Sequence, residues 1–127
     1  NKQEIDVYVA KADGLFLYEA KPHALKQVKP GDLRALTGTQ SYAATAPVNL
    51  VYVARMDKAA GRTDEEKLCL AWADTGYVSQ NVYLYCAAMG LGTVVRASID
   101  TGALSSAMGL EPTQRIIMAQ CVGYPKA

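Results

Sequence analysis

The segment from Asp64 to Asp100 limits the possible folds of this 127-residue chain more than any other. Thr63 precedes three acidic residues, a pattern typical of a helix N-cap and its first turn. Small and apolar residues then recur at spacings of three and four on two neighbouring lines. One line holds Leu68, Ala71, Thr75, Val78, Val82, Tyr85 and Met89, and the other holds Trp72, Gly76, Ser79, Tyr83 and Cys86. We therefore predict one long helix over residues 64–89, followed by a turn and a strand.

The predicted helix is too long and too apolar to lie on the surface of a small monomer. It would measure about 39 Å, whereas the radius of gyration of a compact chain of this length is about 14 Å. Asp74 is its one charged residue beyond Lys67, so the helix has no broad polar face. Either it runs through the core or one side packs on another subunit. A membrane span is disfavoured, because polar residues from Asp74 to Asn81 interrupt every apolar run of about 18 residues.

The charges and cysteines argue against several classes of protein. The formal net charge is +1 and the basic residues are scattered, so the chain has neither a nucleic-acid-binding stripe nor a charged tail. Cys69, Cys86 and Cys121 lack a short Cys-x-x-Cys spacing, which favours buried free thiols over a disulfide framework or a zinc site. The compartment is unknown from the sequence, with the cytoplasm favoured. A leader sequence ahead of Asn1 is an alternative, because the chain does not begin with Met.

Strand and turn patterns surround the long helix. Strands are predicted at residues 5–9, 15–18 and 24–28 as an antiparallel meander, at 48–54 as a central strand covered on both faces, and at 93–97 and 115–122. Short helices are predicted at 33–36 after Asp32 and at 101–108 before Gly109, with a loop at 40–46. This order of elements predicts an α+β domain with a mainly antiparallel sheet.

The common catalytic sequences are missing from the chain. It has no phosphate-binding loop, dinucleotide fingerprint, nucleophile elbow or metal-binding histidine pair. The single histidine, His23, has no acidic partner at a useful spacing. Asp74 is an isolated carboxylate that must be paired or hydrogen-bonded, and a packing or subunit contact explains it better than catalysis. Gly90-Leu91-Gly92 follows a helix, so it is interpreted as a helix C-cap.

Several runs of residues, taken in order, resemble a known family. The run from Trp72 to Leu84, then Gly90-Leu91-Gly92-Thr93, then Val122-Gly123-Tyr124-Pro125 is similar to the C-terminal two-thirds of FMN-dependent nitroreductases. The upstream runs resemble the branch related to the dehydrogenases that oxidise peptide azolines. These runs are Gly14 to Tyr18, His23-Ala24-Leu25, Gly31 to Arg34 and Ala46 to Ala54. The resemblance covers nearly the whole chain.

The resemblance implies a nitroreductase-like fold around one long central helix, in an intertwined homodimer with that helix in the interface. It also implies FMN at two interface sites, NADH or NADPH as co-substrate, and an electron-poor small molecule as acceptor. By position, Val95, Arg96, Ala97 and Ser98 would line the flavin, with a backbone N–H near Ala97 facing its N5 atom. No residue is assigned a catalytic role, and no metal is implied.

One part of the family pattern is missing from the chain. The Arg-Arg-Ser-type motif that holds the flavin phosphate has no counterpart, and Asn1-Lys2-Gln3 resembles the end of the loop that contacts the ring. We therefore expect a single domain over residues 1–127 that lacks its phosphate-binding segment. Asn1 and Gln3 would contact the cofactor, Lys126 is the remaining candidate for the phosphate, and Arg96 is an anion ligand or part of a surface ion pair. The alternative is a non-catalytic dimeric flavin-binding or structural domain, with this fragment free of flavin.

Overall fold

The computed structural model describes residues 2–126 as one antiparallel sheet with helices on both faces. The strands are Ile5–Lys11 (β1), Gly14–Glu19 (β2), Ala24–Lys29 (β3), Val48–Arg55 (β4), Gly92–Arg96 (β5) and Gln114–Gly123 (β6). The α-helices are Asp64–Met89 (α1) and Thr101–Met108 (α2), and two 3-10 helices span Arg34–Thr37 and Ser41–Ala44. The α+β class predicted from the sequence is confirmed.

The strand order is β3-β2-β1-β4-β6-β5, and every neighbouring pair is antiparallel. The first three strands form the predicted meander. β4 lies in the middle, and Val51, Tyr52, Val53 and Ala54 are fully buried, which confirms the predicted central strand. β5 is an edge strand, so one side of its backbone has no strand partner.

Apolar side chains pack on both faces of the sheet. The larger cluster lies on the α2 side and includes Tyr8, Leu15, Val51, Val53, Leu104 and Met108. The cluster on the α1 side is smaller and is centred on Ala54, Ala71 and Ile117. Because Ala71 lacks a long side chain, α1 can pack close to the sheet.

Both ends of α1 lie where the sequence predicts them. The Thr63 hydroxyl accepts the Glu66 N–H at 3.1 Å, which satisfies one of the free donors of the first turn. At the other end Gly90 adopts the left-handed conformation, with φ +68°, and its N–H donates to the Cys86 carbonyl.

Only a narrow stripe of α1 is buried, so the helix does not run through the core. The buried residues are Ala71, Thr75, Ser79 and Cys86. Large apolar residues on other faces stay exposed: Trp72 by 42%, Tyr77 by 75%, Leu84 by 60%, Tyr85 by 60% and Met89 by 59%. The explanation that remains for the apolar character of α1 is packing on another subunit. No helix within residues 2–126 has the length and apolarity needed to cross a bilayer.

Some local predictions were wrong. The helix predicted at 33–36 is a 3-10 helix that begins one residue later, and Asp32 accepts the Arg34 N–H from outside it. The predicted loop at 40–46 contains the 3-10 helix Ser41–Ala44, because the Asn49 side chain reaches from β4 and donates to the Ala43 carbonyl at 2.8 Å. All three thiols are free, but Cys69 is exposed rather than buried.

Candidate functional site

The outer edge of β5 is tied to α1 by a side chain. Since β5 pairs only with β6, alternate N–H groups point away from the sheet. The Val95 N–H is one of these, and it donates to the Tyr83 hydroxyl of α1 at 2.9 Å. Both residues are half-buried, so the hydroxyl satisfies a donor that water reaches poorly.

The Ala97 N–H is an open donor at the end of the same edge. Outward N–H groups recur every second residue along a strand, and Ala97 follows the last residue of β5, two positions after Val95. Ala97 is exposed, and across residues 2–126 no backbone or side-chain acceptor binds its N–H. The next residue is anchored, because the Ser98 carbonyl accepts the Thr39 N–H at 3.0 Å and the two hydroxyls lie 2.7 Å apart. An open donor therefore lies beside a fixed segment.

Arg96 points into the protein instead of toward solvent. It is only 5% exposed, and its guanidinium donates to the carbonyl and hydroxyl of Thr37 and to the side-chain oxygen of Asn49. In the part of the chain that the structure describes, Arg96 has no carboxylate partner and its Nε has no acceptor. The surface ion pair considered from the sequence is therefore wrong. Arg96 ties β5 to the first 3-10 helix.

Gly38, Gln40 and Tyr42 lie close to the Arg96 guanidinium. A Cβ added at Gly38 would lie 2.7 Å from Arg96 Nη1 and 3.0 Å from Gln40 Oε1. The Tyr42 ring centroid lies 5.9 Å from Arg96 Cζ, within the range of a cation–π contact. Gln40 Oε1 is buried without a donor in the described chain.

A buried network of polar side chains links β5 to β6 and β4. The Tyr52 hydroxyl donates to Gln120 Oε1 at 2.5 Å, and Gln120 Nε2 donates to Thr93 Oγ1 at 3.0 Å. Burial raises the pKa of Tyr52 above its ordinary value, so the hydroxyl keeps the proton that it donates. These bonds hold β5, β6 and β4 together beneath α1.

A cavity of about 720 Å³ lies between the start of β1 and the middle of α1, and Gln3, Glu4, Tyr18, Asp74 and Val78 are among its lining residues. Gln3 is exposed, with φ +50°. Glu4 is buried, and a hydrogen bond with the Asp74 side chain raises its pKa, with burial adding to the shift. Asp74 itself is exposed, so water can solvate its carboxylate and the partner expected from the sequence is not required.

The structure keeps one group of the predicted site residues together and separates the others from it. Val95, Arg96, Ala97 and Ser98 form one continuous segment at the end of β5. Along the register, Arg96 is level with Ala119, Val51 and Tyr8, so β1 is three strands away and Gln3, which precedes β1, does not lie beside this segment. Lys126 is exposed and follows β6, whose end pairs with the start of β5. Asn1 lies outside the described residues.

Several residues of this site were not identified from the sequence. Tyr83 was assigned only to an apolar line of the helix, and Thr37 was not considered. Asn49 carried a visible signal, because it is the one amide in the apolar run from Val48 to Ala54. Within residues 2–126, no three His, Cys, Asp or Glu side chains are placed to hold a metal ion.

Comparison with protein families identifies one match over nearly the full chain. The model of the Nitroreductase family matches residues 1–124. A search of curated proteins found no match.

Three solved structures illustrate the similarity. A nitroreductase candidate from Ralstonia eutropha JMP134 is 34% identical with a TM-score of 0.91, and the match covers 98% of this chain and 60% of that one. A chain of the Escherichia coli microcin synthetase McbBCD complex is 20% identical with a TM-score of 0.86, covering 99% and 53%. The Vibrio harveyi NADPH:FMN oxidoreductase complexed with NAD+ is 20% identical with a TM-score of 0.71, covering 99% and 52%. This chain therefore spans little more than half the length of these proteins.

Proposed function

This chain belongs to the nitroreductase family, and we propose that it acts as an FMN-dependent oxidoreductase that passes electrons from NADH or NADPH to an electron-poor organic acceptor. The observation that carries the proposal is the open N–H of Ala97 at the end of β5. A fixed backbone donor at this position can bind an acceptor atom of a flavin ring. The Vibrio harveyi relative, which is an NADPH:FMN oxidoreductase, supports the choice of cofactor and co-substrate.

The donors around β5 fit the ring of FMN better than its phosphate. The Ala97 N–H would bind the ring edge, and Val95 and Ser98 would line it. Bound FMN would supply the redox chemistry. Arg96 would support this segment from behind, since its guanidinium is already bonded to Thr37 and Asn49.

The phosphate needs cationic and amide donors that this segment does not offer. Lys126 is the candidate within the chain, and its distance from the β5 end favours a further contribution from a segment ahead of Asn1. We propose that such a segment completes the single nitroreductase-like domain.

We further propose that the protein is a homodimer with α1 in the interface. The exposed Trp72, Leu84, Tyr85 and Met89 support this, because so much apolar side-chain surface on one helix is costly in water. An apolar groove of about 430 Å³ beside α1, lined by Val48, Leu50, Val82, Tyr85 and Val122, would be covered in the same interface.

The test is reconstitution of the full-length protein with FMN, followed by turnover with a nicotinamide donor and a nitroaromatic acceptor. Ala97→Pro removes the N–H, so we expect turnover to fall at least roughly a hundredfold. Ala97→Ser keeps the N–H and is the matched control. Equal turnover in the two variants would contradict the role of this donor. A folded dimer that binds FMN without being reduced would instead support the non-catalytic alternative.

A further inference from the structure

We infer that Tyr83 is a positioning residue for the flavin site, because its hydroxyl fixes the outer edge of β5 and thereby the direction of the Ala97 N–H. The inference rests on the proposed function and extends it to a side chain of α1.

The Tyr83 hydroxyl is the one side-chain acceptor of an outward β5 N–H within residues 2–126. Its bond to Val95 is 2.9 Å long and lies two residues before Ala97. The network through Gln120 and Thr93 supports the strand from a different direction, since it binds side chains and not the outer backbone. Without the hydroxyl, the Val95 N–H would be half-buried and unsatisfied, which favours a rotated or frayed strand end.

The hydrogen bonds of the residues on either side of Ala97 determine which part of the strand end would move if the Tyr83 hydroxyl were lost. Arg96 is held by Thr37 and Asn49, and Ser98 is held by Thr39. These bonds fix the positions of the flanking residues, while the Tyr83 bond fixes the rotation of the edge before them. Loss of the hydroxyl is therefore expected to turn the Ala97 N–H without unfolding the site.

The experiment compares Tyr83→Phe with Tyr77→Phe in the full-length protein. Both variants remove one hydroxyl from α1, but Tyr77 is 75% exposed. The first measurement is amide hydrogen exchange without FMN. We expect residues 94–98 to exchange at least about tenfold faster in Tyr83→Phe, because the lost bond stabilised the closed edge, and to be unchanged in Tyr77→Phe. Unchanged exchange in Tyr83→Phe would overturn the inference.

The second measurement is the midpoint potential and absorbance spectrum of bound FMN. A shift in both for Tyr83→Phe, absent in Tyr77→Phe, supports a positioning role. Faster exchange with an unchanged potential and spectrum would overturn it, since the bond would then serve stability alone. Failure of the unmodified protein to bind FMN would overturn the proposed function and the positioning role with it, and faster exchange in Tyr83→Phe would then show only that the hydroxyl stabilises the strand edge.

Discussion

The buried guanidinium of Arg96 donates a hydrogen bond to the side-chain oxygen of Asn49, so a cation is bonded to a neutral partner. Arg96 is 5% exposed and Asn49 is fully buried. A buried cation is usually paired with an anion, but here the partners are neutral oxygens of Thr37 and Asn49. The fold therefore depends on the shape of the guanidinium, which reaches several acceptors at once.

Arg96→Lys should be destabilising for this reason. The Arg96 bonds use two separate nitrogens, whereas an ammonium carries its three donors on one atom and lacks this fork, so we expect at least one buried acceptor of Thr37 or Asn49 to lose its partner. We expect the free energy of unfolding to fall by about 2 kcal/mol, measured by urea denaturation. Arg115→Lys, at an exposed position of β6, is the control. Equal stability of the two variants would contradict the prediction.

Gly38→Ala should be destabilising through a steric clash. The backbone at Gly38 is extended, so alanine is not strained there, but its Cβ would lie 2.7 Å from Arg96 Nη1. Because the guanidinium is held by three bonds, it cannot easily move away, and we expect a loss of about 1–3 kcal/mol in thermal or urea unfolding. In the Arg96→Ala background the same substitution should cost much less, and an undiminished cost would show that the clash is not with Arg96.

Gly76 tests the place of α1 in a dimer. Apart from its chain neighbours and the nearby backbone of α1 itself, no atom of the described chain lies within 4 Å of a Cβ built at this position, so packing within the protomer does not require glycine there. Glycine costs about 1 kcal/mol relative to alanine within a helix, which suggests close approach of a second backbone. Gly76→Leu should shift the protein toward monomer in light scattering. An unchanged dimer would count against this interface.

Glu4 should make stability depend on pH. The hydrogen bond with Asp74 and burial raise its pKa above the ordinary 4.5, so the folded state binds the proton more tightly than the unfolded state. The stabilisation is complete below the unfolded pKa and is lost as the pH rises through the folded pKa. Glu4→Gln should flatten this decline and unfold at higher urea concentration at neutral pH, whereas the exposed Glu111→Gln should follow the wild-type curve. If stability falls with rising pH in Glu4→Gln as it does in the wild type, a group other than Glu4 causes the loss.

The sequence predicted the elements whose signals are local. Thr63 and Gly90 mark the ends of α1, and Asp100 caps α2 by accepting the Ala103 N–H at 3.0 Å. The environment of Arg96 could not be predicted in this way, because Thr37 and Arg96 lie 59 residues apart in the chain and meet only after the sheet has formed. The 3-10 helix Ser41–Ala44 was missed for a similar reason, since it depends on a bond from Asn49 in β4. The resemblance supplied the family, which periodicity alone could not.

The central claim is that the full-length protein is an FMN-dependent oxidoreductase, and an anaerobic absorbance titration tests it most directly. The purified full-length protein is loaded with FMN and titrated with NADH and, separately, with NADPH. We predict that at least one nucleotide bleaches the oxidised flavin absorbance and that an electron-poor acceptor restores it. A folded protein that takes up no FMN, or whose bound flavin neither nucleotide bleaches, would contradict the account.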